Sequence, residues 1–130
     1  EFKPKAPGMK YRHYAPSADY TIYKGDEVKV AEKIIELANE KADEGKITGI
    51  ITADQHLHMY QGRLNKSIKV VSLGDLEKPE IVANHLFKAL RDFDKVDTEF
   101  IFGEAFSEKN VGQAIMNRLT KAAGYNIIDV

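Results

Sequence analysis

The stretch "DYTIYKGDEVKVAEKIIELANEKADEGKITGIIT" (residues 19–52) carries two periodicities in succession. "DYTIYKG" is a short β-rich run that stops at Gly25. From Asp26 the spacing changes. Val28, Ala31, Ile35, Ala38 and Ala42 step by three and four, which puts them on one helical face. Asp26 has the chemistry of an N-cap, and Gly45 that of a C-terminal stop. "ITGIIT" (Ile47–Thr52) is then a continuous apolar run of the kind buried on both faces of a sheet. Strand, amphipathic helix and buried strand in this order predict a parallel β-α-β unit.

The same grammar repeats downstream. "SIKVVSLG" (Ser67–Gly74) reads as another strand. "EKPEIVANHLFKALRDFD" reads as a second helix, with Pro79 in its first turn and Val82, Leu86, Ala89 and Phe93 on one face. "DTEFIFGEA" is a fourth strand, "SEKNVGQAIMNRLTKAAG" a third helix ending at Gly124, and "YNIIDV" a last strand. Residues 53–66 are polar and read equally as a short helix or a loop. The expected fold is α/β: a Rossmann-like, open, mostly parallel sheet of about five strands with helices on both faces.

The chain has 130 residues, one domain's worth, with 43% apolar and 30% charged residues, so it is globular. No run approaches the roughly 18 apolar residues of a membrane span, and no cysteine is present for disulfides, thiolate chemistry or cysteine–zinc sites. This fits a cytoplasmic protein. Residues 1–17 differ from the rest. Pro4, Pro7 and Pro16 fall there, and Lys3, Lys5, Lys10 and Arg12 face only Glu1. Proline disfavours helix before it and removes a donor, so this is linker composition. The expected division is a linker over 1–17 and a domain over 18–130. A basic tail on an acidic body reads as a solvated segment or as a contact for an anion or acidic surface.

In open α/β sheets, ligands sit beyond the carboxyl ends of the strands. The turns expected there are Lys24–Asp26, Thr52–Asp54, Ser72–Asp75 and Gly103–Glu104. None is a G-x-G-x-x-G or a P-loop, so they read as ordinary strand-to-helix turns. Asp54, His56 and His58 suggest a metal set, but two histidines in a polar loop do not supply the fixed geometry that zinc requires, and no metal is expected. His85 lies one position from a core face and reads as a surface histidine. On the third helix Val111, Ile115 and Leu119 point inward. Asn117 and Arg118 then face solvent or a neighbouring domain. The richest chemistry is in "KYRHY": Lys10, Tyr11, Arg12, His13 and Tyr14 offer aromatic faces, cations and an imidazole, the groups that grip a nucleotide.

"APGMKYRHYAP" (Ala6–Pro16) resembles the interdomain linker of the two-domain threonylcarbamoyl-AMP synthases. "NHLFKALRDFD" and "GEAFSEKNVGQAIMNRLTKAAG" resemble that family's C-terminal domain, so the likeness spans nearly the whole chain. Residues 53–66 match by position only. The resemblance implies an enzyme that joins threonine, bicarbonate and ATP, with magnesium, into an adenylate used to modify tRNA adenosine. It places catalysis in a preceding YrdC-like domain, the partner of this one, so that no catalytic residue and no bound cofactor are expected in this chain. It makes Lys10, Tyr11, Arg12, His13 and Tyr14 a lid over that site, and Asn117 and Arg118 a candidate interdomain contact. Direct tRNA or membrane binding is not expected. The residues alone leave open a stand-alone α/β ligand-binding or regulatory module, or an interaction domain whose tail docks on a partner.

Overall fold

The computed structural model describes residues 16–106 and 112–130. Its elements are β1 (Asp19–Lys24), α1 (Glu27–Asp43), β2 (Thr48–Thr52), a 3₁₀ helix (Asp54–Met59), β3 (Lys69–Ser72), α2 (Pro79–Lys95), β4 (Phe100–Glu104), α3 (Gln113–Ala122) and β5 (Ile127–Asp129). The five strands form one sheet in the order β3-β2-β4-β1-β5. Every pairing is parallel. β4 lies between β1 and β2, pairing Tyr20 with Ile101 and Ile50 with Phe102.

Strand alternation sends successive side chains to opposite faces, which creates two cores. Tyr23, Ile50 and Phe102 pack with Val30, Ile34 and Ala38 of α1. Tyr20, Ile22, Ile51 and Ile101 pack with Leu86, Leu90 and Phe93 of α2 and Leu119 of α3. β2 is buried throughout, as its unbroken apolar run requires, whereas β5 is an exposed edge.

Two glycines make room for rings. A Cβ on Gly49 would collide with the Phe93 ring, and one on Gly103 with the Tyr20 ring. These central-strand glycines permit aromatic side chains to lie flat on the backbone.

α1 begins where expected: the Asp26 side chain accepts from the Val28 and Lys29 amides at 3.1 Å each. Its buried stripe is Val30, Ala31, Ile34, Ile35, Ala38 and Ala42. Val28, expected in that stripe, is 54% exposed. It sits in the first turn, at the sheet's carboxyl edge, where no strand lies beneath it. On α2 the expected face, Val82, Leu86, Ala89 and Phe93, is buried. The stretch 53–66 resolves into the 3₁₀ helix and a turn-rich return to β3. Among the described residues no helix is long and apolar enough to cross a membrane.

Candidate functional site

Four elements converge at the carboxyl edge of the sheet. β2 ends at Thr52 and β4 at Glu104, and the two strands are neighbours. The 3₁₀ helix after β2 carries His56 and leads to Tyr60, while α1 brings Glu27 in its first turn. Glu104 is 3% exposed, yet it is an acid. A buried carboxylate is costly unless hydrogen bonds replace its water. Here three do. The Thr52 hydroxyl donates to Oε2 at 2.7 Å, and the Tyr60 hydroxyl donates to the same oxygen at 2.6 Å. His56 Nδ1 meets Oε1 at 2.5 Å. On its other side His56 Nε2 faces Glu27 Oε2 at 3.2 Å.

The electrostatics follow from this packing. The Glu104 hydrogen bond raises the His56 pKa, opposed by burial and reinforced by the charges of Glu104 and Glu27. Burial, and then the Glu104 charge, push the Tyr60 phenol far above its usual range, so it remains a donor. A second polar set lies beside it, between the 3₁₀ helix and the turn after β3. Ser72 Oγ donates to Asp54 Oδ1 at 2.6 Å, Gln55 Nε2 donates to Asp75 Oδ1 at 2.7 Å, and Gln55 Oε1 accepts from the Leu76 amide at 3.1 Å. Where an open α/β fold takes its ligand, the described side chains at the ends of β2, β3 and β4 are thus bonded to one another.

The opposite, amino edge differs. Pro16 is buried there, and the Ser17 amide donates to Asp94 Oδ1 at 2.8 Å. An open cleft of about 460 Å³ lies between Pro16, Ala18, Tyr20, Ala123, Tyr125 and Asn126. Tyr125 is 68% exposed and holds a left-handed backbone at φ +62°.

Lys10, Tyr11, Arg12, His13 and Tyr14 lie outside the described residues, as does Val111. Asn117 and Arg118 are both exposed on α3. The Arg118 guanidinium stands 5.7 Å over the Phe87 ring of α2, a cation–π contact that ties it to its own domain. His85 is exposed on α2, as expected. Its Nδ1 lies 2.9 Å from the Leu73 carbonyl oxygen, because α2 rests against the turn after β3. The Asp54, His56 and His58 set is not assembled, since Asp54 turns to Ser72 and His56 to Glu104. Among the described residues no group of three or more His, Asp or Glu could hold a metal ion. Sequence reasoning missed Glu104 and Tyr60 as site members. Their signals were faint: an acid closing an apolar strand, and a tyrosine in a polar loop.

Residues 1–124 match the family described as threonylcarbamoyl-AMP synthase, C-terminal domain. The chain belongs to this family. The threonylcarbamoyl-AMP synthase of Pyrococcus abyssi is 44% identical over 126 residues, which cover 97% of this chain and 34% of that protein. The Bacillus subtilis threonylcarbamoyl-AMP synthase is 40% identical over the same shares. The chain therefore spans about a third of the length of the curated relatives it matches. The solved structure of P. abyssi Sua5 complexed with L-threonine aligns with a TM-score of 0.71 at 43% identity, over 100% of this chain and 35% of that one. A C-terminal Sua5 domain from Pyrococcus horikoshii aligns with a TM-score of 0.65 at 34% identity, over 89% of this chain and 100% of that one. In threonylcarbamoyl-AMP synthases this region is thus a C-terminal unit, and the five-stranded parallel α/β sheet is its fold.

Proposed function

We propose that the chain is the C-terminal domain and interdomain linker of an L-threonylcarbamoyladenylate synthase. The whole enzyme is a nucleotidyltransferase that forms threonylcarbamoyl-AMP from threonine, bicarbonate and ATP, with magnesium, in the cytoplasm. The product serves threonylcarbamoyladenosine modification of tRNA. The carrying observation is a family match that runs from residue 1 to residue 124 and so takes in both the linker stretch and the domain.

In this reading the chemistry belongs to a YrdC-like domain earlier in the same polypeptide. This domain holds one end of the linker, and Lys10, Tyr11, Arg12, His13 and Tyr14 cover the nucleotide there. Closing a site over its substrate excludes water and completes the contacts on the reacting groups. Asn117, exposed on α3, is a candidate contact to the catalytic domain, and Arg118 beside it is already stacked on Phe87. The filled carboxyl edge supports a scaffolding role, because Glu104, His56 and Tyr60 satisfy one another where a substrate would sit.

The test is pyrophosphate release. The full-length gene product should release it only when ATP, threonine and bicarbonate are all present, and the 130-residue chain alone should release none. Release by the chain alone, or threonine-independent release by the full-length protein, would overturn the reading.

A further inference from the structure

We propose that His56 is a proton-operated latch that, with both ring nitrogens protonated, ties the first turn of α1 to the buried end of β4. The observation is the bridging geometry. His56 Nδ1 faces Glu104 Oε1 at 2.5 Å and Nε2 faces Glu27 Oε2 at 3.2 Å. A carboxylate only accepts, so each contact needs an N–H on the ring. Imidazolium has two and neutral imidazole has one. The ring can therefore hold both carboxylates in one protonation state only.

The two contacts are unequal, which fixes the order of release. Glu104 is 4% exposed in its side chain and cannot turn to water, whereas the Glu27 side chain is 66% exposed and can. When His56 loses a proton, the remaining one stays on Nδ1 for Glu104. Nε2 then turns a lone pair toward Glu27, and the link to α1 becomes a repulsion. The hydroxyls of Thr52 and Tyr60 keep Glu104 bonded in either state, so the strand end holds while the helix turn is let go.

Among the described residues, the charged groups that act on the ring are Glu104 from β4 and Glu27 from α1. Tyr60, beyond the 3₁₀ helix, stays protonated against Glu104. Asp26 is committed to capping α1, and Asp54 accepts from Ser72. Among the described residues no lysine or arginine is paired with Glu27 or Glu104 to substitute for His56. The folded-state pKa of His56 is raised, so the latch contributes fully below the unfolded value of about 6.5 and is lost as pH rises through the folded midpoint.

The experiment is a ring-nitrogen NMR titration of the ¹⁵N-labelled chain, read together with amide exchange corrected for its intrinsic pH dependence. His56 should titrate with a midpoint above about 6.5. Exchange at Val28, Lys29 and Val30 should rise several-fold as pH crosses that midpoint. Glu27→Gln should lower the midpoint by a few tenths of a pH unit and abolish the pH-linked step at those amides. A midpoint at or below about 6.5, or a first turn whose protection ignores the His56 titration, would overturn the latch. His56→Asn should flatten the step. If that variant does not fold, the wild type and Glu27→Gln decide.

Discussion

The two edges of one sheet are built on opposite plans. At the carboxyl edge, acids, hydroxyls and an imidazole from β1's following helix, β2, β4 and the 3₁₀ helix are locked into one network around Glu104. At the amino edge, the chain enters at Pro16 beside an open cleft lined by small residues such as Ala18 and Ala123 together with Tyr20, Asn126 and the exposed Tyr125. The usual rule for α/β folds expects the ligand at the first edge and inert turns at the second. Here, among the described residues, the acids and hydroxyls of the first edge are bonded to one another around Glu104, and the chain enters at the second. The difference shows that edge geometry alone does not make a site. A crevice binds a ligand only if the protein leaves its hydrogen-bonding groups unsatisfied.

On the proposed function, the largest expected effect separates residues 10–14 from the α/β domain in the full-length protein. Tyr14→Ala and His13→Ala should reduce turnover by on the order of 10²-fold, the scale of a misplaced reacting group. The melting temperature of this domain should stay near wild type in both. His56→Asn should do the reverse, shifting melting while leaving turnover per folded molecule unchanged. Steady-state rates set against melting curves for the three variants make the comparison. Near-normal turnover in the Tyr14 and His13 variants would reduce the linker to a tether.

A smaller effect tests how tightly the carboxyl edge is closed. Glu104→Gln keeps the shape but puts an amide among three donors, at a cost of about 1–3 kcal/mol in unmet hydrogen bonding. Chemical denaturation at neutral pH measures it. A loss within about 0.5 kcal/mol, the range of a surface substitution, would mean that the network is looser than its geometry.

The smallest effect belongs to the amino edge. Tyr125 holds φ +62° without being glycine and is mostly exposed. Tyr125→Gly removes the left-handed strain but frees the unfolded chain, and the two changes oppose each other. The net shift should stay within about 1 kcal/mol by the same denaturation measurement. A clear destabilisation would show that the Tyr125 ring packs the cleft, and would make the amino edge as closed as the other.

The fold was legible because burial writes periodicity into sequence. Ile47–Thr52 and the Val82–Leu86–Ala89–Phe93 face could hardly have packed otherwise. The order β3-β2-β4-β1-β5 was not legible, since every strand is apolar and none records its neighbour. The carboxyl-edge network was hidden for a related reason. Thr52, His56, Tyr60 and Glu104 are set by where β2 and β4 end, and β4 is adjacent to β2 only through pairing across 52 residues of chain. Val28 failed because periodicity reports a helix's face but not how far the sheet beneath it extends.

The position of β4 also sets a timetable. β1 and β2 are joined directly by α1, but in the sheet they touch only through Phe100–Glu104. Until that strand is in place, residues 16–99 hold α1, α2 and three strands without the central ladder, and both faces of β2 lack part of their cover. Loop closure over this separation precedes any reward from pairing, which slows folding. During synthesis the domain therefore stays incomplete until residue 104 has left the ribosome. Glu104 ends the strand that joins β1 to β2, so the strand-end that closes the central ladder also closes the polar network around it.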